Sequence, residues 1–219
     1  EAALCPLLSH QTLPTSLPDA AGFAAIALTS VNALRALEER GVLPSYTSLP
    51  AYAVGDRTAA AAREMGFASV QSAGGAFGDL VDLLAHAGIK GPVFYPAARD
   101  QSGDLAKSLA PFGLMVITTQ VYAMNAATEL PAQILRELED GSVDAVLFYS
   151  RRTAETFAKL CDGKLSRLSR LELGMLCISE AVAEPLVDAH FVRVGLADYP
   201  SEEAMMALAL SFARDQNAS

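Results

Sequence analysis

The sequence predicts an α/β fold: two similar domains with mostly parallel sheets flanked by helices, joined by a two-stranded hinge with an interdomain cleft. Three observations carry this expectation. Short apolar runs alternate with longer helical patterns along the chain, the mark of βα units. The halves correspond, since Ala25–Ser30 (AIALTS) and Ala145–Ser150 (AVLFYS) each lead into a helical pattern. Val54-Gly55-Asp56 and Ile178-Ser179-Glu180 repeat the correspondence at a similar separation. Finally, two loose segments, 9–18 with Pro14 and Pro18, and 119–127, interrupt the alternation and read as linkers.

Strands are expected at 3–8, 24–28, 51–54, 68–71, 92–95, 114–118, 143–149, 175–178 and 191–194. The helix after Ser30 sets Val31, Leu34 and Leu37 on one face and stops at Gly41, with Pro44 beyond. Comparable helices run from Gly55 to Gly66 and from Gly75 to Gly88. The linkers define an inserted domain at 10–120 and a second domain from 1–9 with 121–219. The chain begins without Met in what reads as a strand, so an upstream strand and helix are expected to be missing.

Composition narrows the function classes. Of 219 residues 52% are apolar and 19% charged, enough for packed cores. A formal charge of −9 argues against nucleic acid or an anionic membrane as partner. No apolar run approaches the roughly 20 residues that span a bilayer. Residues 1–8 lack a basic leader and are broken by Pro6, so they do not read as a signal peptide. Cys5, Cys161 and Cys177 show no ligand spacing and suit reduced thiols in the cytoplasm.

In parallel sheets, ligands bind where strand C-terminal ends meet helix starts. Thr29, Ser30, Asp56, Thr58, Arg99, Asp100, Ser150, Arg151 and Ser179 occupy such positions, where free N–H groups suit carboxylates. Helix capping alone explains any one of them. Segment 73–79 (AGGAFGD) matches no phosphate-binding fingerprint and reads as a turn. His10, His86 and His190 are isolated, and neither a metal site nor a Gly-x-Ser-x-Gly elbow is evident. Tyr122 closes the strand entering the second linker, either as a structural hinge tyrosine or as a side chain facing the cleft.

Across nearly the whole chain the order of these segments resembles the uroporphyrinogen-III synthase family. The series is Leu28-Thr29-Ser30-Val31-Asn32-Ala33, Ala53-Val54-Gly55-Asp56-Arg57-Thr58-Ala59, Phe94-Tyr95-Pro96-Ala97, Val121-Tyr122 and Phe148-Tyr149-Ser150. The resemblance implies two α/β domains joined by a β-ladder, and a cofactor-free lyase that cyclises hydroxymethylbilane to uroporphyrinogen III. The last pyrrole ring is inverted and water is lost. It implies that Tyr122 assists departure of the hydroxyl, and that Thr29, Ser30, Thr58 and Ser150 contact the tetrapyrrole. The family's C-terminal Gly-x-Thr stretch reads Ile178-Ser179-Glu180 here, leaving Ser179 at that place. Arg99 and Arg151 are added as carboxylate partners on charge. The expected partner is a small linear tetrapyrrole and the expected state a monomer; the alternative is a non-catalytic two-domain binder of a small anion.

Overall fold

In the computed structural model, which describes residues 3–101 and 103–217, the chain divides into two compact units. One is His10–Asn125; the other combines Glu1–Ser9 with Ala126–Ser219. The chain passes between them inside β1 (Leu8–Thr12) and at the end of β6 (Val116–Ala126). Between those strands come β2 (Ala25–Leu28), α1 (Val31–Glu39), β3 (Ala51–Ala53), α2 (Asp56–Glu64) and β4 (Val70–Ser72). α3 (Phe77–His86), β5 (Val93–Ala98) and α4 (Leu105–Leu109) follow.

The six strands lie in the order β1-β6-β5-β2-β3-β4. Pairings among β2 to β6 are all parallel. β1 runs antiparallel on β6, with Leu13 N–H donating to Val121 O and Ala127 N–H to Leu7 O, both at 2.8 Å. β2 is buried along its whole length, as its unbroken apolar run requires of a central strand. Ala33, Leu34, Ala36 and Leu37 of α1 and Ala62 of α2 cover one face of the sheet. Leu80 and Leu84 of α3 and Leu105 and Leu109 of α4 cover the other. α1 ends as its sequence requires: Gly41 adopts φ +67°, and Val42 N–H returns to Leu37 O at 3.1 Å.

Two sequence expectations need correction. Residues 3–7 lie outside any strand, and β1 covers Leu8–Thr12, part of a segment expected to be loose. Pro6 has no N–H for a ladder, whereas Leu8, His10 and Thr12 alternate with exposed Ser9 and Gln11 as a paired strand should. Segment 119–127 is likewise no linker through most of its length, because β6 continues to Ala126. A β-bulge disguises it: Ala97 pairs with Gln120 but Ala98 with Tyr122, leaving Val121 as the extra residue. The bulge reverses the strand's alternation. Val116 packs with α3 and α4, whereas Tyr122 and Met124, also even-numbered, pack with α1 and α2.

In the other unit come α5 (Ala132–Glu139), β7 (Ala145–Phe148), α6 (Arg151–Cys161), α7 (Arg167–Glu172), β8 (Gly174–Cys177), α8 (Glu180–Asp188), β9 (Arg193–Leu196) and α9 (Glu202–Asn217). The parallel sheet is ordered β7-β8-β9. Phe148, Phe157, Met175, Cys177, Leu186 and Phe191 form its core with α6 and α8. On the opposite face Phe212 of α9 lies so close to Gly174 that a side chain there would have to displace it. Among the described residues, no helix is long and apolar enough to cross a membrane.

Phe94 anchors the first unit, fully buried, with the rings of Tyr46 and Phe23 at 5.0 and 5.2 Å. Phe94→Ala is expected to reduce unfolding free energy by about 3–5 kcal/mol in a urea titration, through lost contacts and the cavity left behind.

Candidate active site

From β2 the chain winds outward through β3 and β4, then returns to place β5 on the opposite side of β2. The strand order therefore reverses between β2 and β5, the point where open parallel sheets bind ligands. A group of hydroxyls gathers there. Thr29 follows β2, and its Oγ1 is 3.2 Å from the Tyr95 hydroxyl. Ser30 is the N-cap of α1, its Oγ accepting the Asn32 N–H at 3.1 Å. Tyr122, turned by the bulge to the α1 side of the sheet, is only 5% exposed and has the Ser30 side chain beside its hydroxyl.

Burial pushes both phenols above the ordinary tyrosine range. Hydrogen bonding to Thr29 and to Ser30 works the other way, and a charge on Tyr122 would oppose ionisation of Tyr95. Both phenols therefore hold their protons at neutral pH and are available as O–H donors. Tyr122 does not end a strand at a linker, as its neighbours suggested; it lies within β6, and its ring stacks on His10 with centroids 5.7 Å apart.

The backbone N–H of Arg99, just past β5, donates to Tyr122 O at 2.8 Å. Its guanidinium donates to Asn125 Oδ1 at 2.9 Å, and Asn125 donates to Gln11 at 2.7 Å. This polar chain ties the end of β5 across β6 to β1. Thr58 is buried in the first turn of α2, after the neighbouring strand β3. Segment 73–79 is a turn leading into α3, where Asp79 accepts the Ala76 N–H at 2.9 Å and so fills the place an anion would take.

In the second unit Ser150 caps α6, accepting Thr153 N–H at 3.2 Å. Ser179 precedes α8 without a side-chain cap bond. Their strands adjoin, with Ile178 N–H donating to Phe148 O at 3.0 Å. Arg151 is bracketed by Glu184 and Glu155, the latter at 3.0 Å, and donates to Ala181 O at 3.2 Å. Those carboxylates raise its pKa and occupy much of its donor fork. A hollow beside α8 and β9 is lined by Glu180, Glu184 and Asp188, which would repel a polyanion. Cys161 and Cys177 are core residues; burial pushes their thiols up to about 12 and about 11, which removes them as nucleophiles.

The structure thus brings Thr29, Ser30 and Tyr122 together and gathers Ser150, Arg151 and Ser179 separately in the other unit. Sequence reasoning missed Tyr95 as a partner of Thr29, although its place near the end of a buried strand was a usable signal. It also read His10 as isolated, because its neighbours Glu39 and Tyr122 are distant in sequence.

A phenol with a raised folded pKa binds its proton more tightly when folded. The stability it contributes is complete below the unfolded value of about 10 and is lost as pH rises through the folded value. The urea midpoint of the protein is therefore expected to fall above about pH 10, and less steeply in Tyr95→Phe and Tyr122→Phe than in the parent chain.

Residues 1–207 match the family model described as uroporphyrinogen-III synthase HemD. The structure is similar to that of uroporphyrinogen-III synthetase from Helicobacter pylori, with a TM-score of 0.72 and 24% identity over 94% of this chain and 90% of that one. A mutant uroporphyrinogen III synthase from Thermus thermophilus gives a TM-score of 0.54 at 19% identity, covering 99% of this chain and 90% of that one. No curated protein sequence matches. The alternation of strands and helices, the parallel sheets and a family match over almost the full length agree: the chain belongs to the uroporphyrinogen-III synthase family, cyclising lyases of haem biosynthesis.

Proposed function

We propose that this chain carries out its family's cyclisation at the hydroxyl-lined edge of the His10–Asn125 unit, with Tyr122 as the catalytic residue. The observation that supports this reading is the pairing of two buried, protonated phenols with Thr29 and Ser30 at the point where the strand order reverses. Thr29, Ser30, Thr58 and Arg99 take substrate carboxylates on this unit.

The chemistry asks little of a nucleophile. The terminal hydroxyl of hydroxymethylbilane takes a proton from the Tyr122 hydroxyl and leaves as water, and the resulting azafulvenium returns its pyrrole N–H proton to the phenolate to give the neutral azafulvene. The substituted carbon of the last ring attacks it, giving a spiro intermediate that rearranges to the inverted macrocycle. Spontaneous closure gives the uninverted isomer, so the protein's contribution is to hold a flexible octacarboxylate in the productive bend. Helix N-termini and hydroxyls suit that task in a chain of charge −9, because they attract carboxylates without adding cations. The three free cysteines support a reducing, cytoplasmic setting, and the monomeric state follows the family resemblance.

Freshly prepared hydroxymethylbilane incubated with the protein should give the type III isomer after oxidation and separation; isomer I in excess would refute the reading. Tyr122→Phe should lower kcat by about 100-fold, in keeping with a lost proton donor, and leave product affinity within about twofold. Unaltered turnover would remove Tyr122 from the mechanism.

A further inference from the structure

His10 is held where packing alone would not favour a histidine. Its side chain is 6% exposed, and Nε2 is buried without a hydrogen-bond partner. A phenylalanine could fill the same slot, stack on the same phenol and leave no polar atom unpaired. The other ring nitrogen accounts for the choice. Nδ1 lies 3.9 Å from Glu39 Oε2, an electrostatic contact longer than a hydrogen bond that favours the ring orientation with Nδ1 towards the carboxylate.

Glu39 is itself fixed. It accepts from the Thr12 hydroxyl, two residues along β1, and from Arg35 Nε at 2.8 Å, one turn back on α1. Those two hydrogen bonds, Thr12 first, hold its carboxyl below the usual range and keep it ionised. At the other end of the chain of contacts, the imidazole lies over Tyr122 with ring planes 22° apart, while Ser30 approaches the phenol hydroxyl.

We infer that His10 is a positioning residue for Tyr122: Glu39 at the end of α1 orients the imidazole, and the imidazole holds the phenol so that its hydroxyl stays beside Ser30. The inference rests on Tyr122 acting in the cyclisation. His10 does not itself touch the reacting atoms, since its free nitrogen is buried.

The test compares His10→Phe and Glu39→Gln, each alone and combined with Tyr122→Phe, using hydroxymethylbilane. His10→Phe should lower kcat about tenfold with KM within about twofold, a fraction of the loss that a misplaced catalytic group can cause. Its thermal midpoint should equal or exceed that of the parent, because the unpaired nitrogen is gone. Glu39→Gln, on an exposed carboxylate, should lower kcat in the same direction by a smaller factor. Neither change should slow the Tyr122→Phe protein further, because both act through the phenol. Normal kcat in His10→Phe alongside a slow Tyr122→Phe overturns this inference alone, as does a His10→Phe loss that persists undiminished in the double variant. Normal kcat in Tyr122→Phe overturns the catalytic reading and this one with it. Independently of turnover, the Cζ resonance of Tyr122 in carbon-13-labelled protein should shift in both single variants; an unmoved resonance overturns the inference.

Discussion

A single extra residue in β6 governs the arrangement of the first unit. Without the bulge at Val121, residues 116, 122 and 124 would share one face of the sheet. With it, Val116 stays with α3 and α4 while Tyr122 and Met124 turn towards α1. Only on that face does Tyr122 meet His10 from β1 and Ser30 from the start of α1. The antiparallel pairing of β1 with β6 completes the constraint, since it puts His10 within reach of both Tyr122 and Glu39 and Thr12 within reach of Glu39.

The hydroxyls gathered at this edge, those of Thr29, Ser30, Tyr95 and Tyr122, are neutral. This set suits a reaction in which water leaves and a polyanion must be folded. A cluster of buried cations would require compensation for a desolvation penalty, whereas N–H groups and hydroxyls already belong to the fold and serve as caps when no ligand is present. Ser30 and Ser150 do cap their helices. Capping and binding draw on the same atoms, so the presence of a cap is no argument against a role in holding substrate.

Several features were legible because they depend on neighbours in sequence. The helix from Ser30 to Gly41 carries its own cap, apolar stripe and stop, and forms as written. The apolar run 24–28 becomes the fully buried β2. β1 and the second half of β6 were not legible. The ladder that makes them strands joins residues more than a hundred apart, and the bulge breaks the alternation by which a strand is recognised. His10 illustrates the same limit in the site, since nothing near it in the chain announces Glu39 or Tyr122.

By itself, then, the amino-acid sequence determined the α/β class, the starts and glycine stops of α1, α2 and α3, and the hydroxyls at strand ends, all of which follow from patterns within about a dozen residues. Only tertiary structure decided which strands adjoin, which face Tyr122 occupies, and that His10, Tyr122, Ser30 and Glu39 belong together. Those outcomes depend on register and on long-range pairing, where a shift of one residue exchanges the inside of a sheet for the outside.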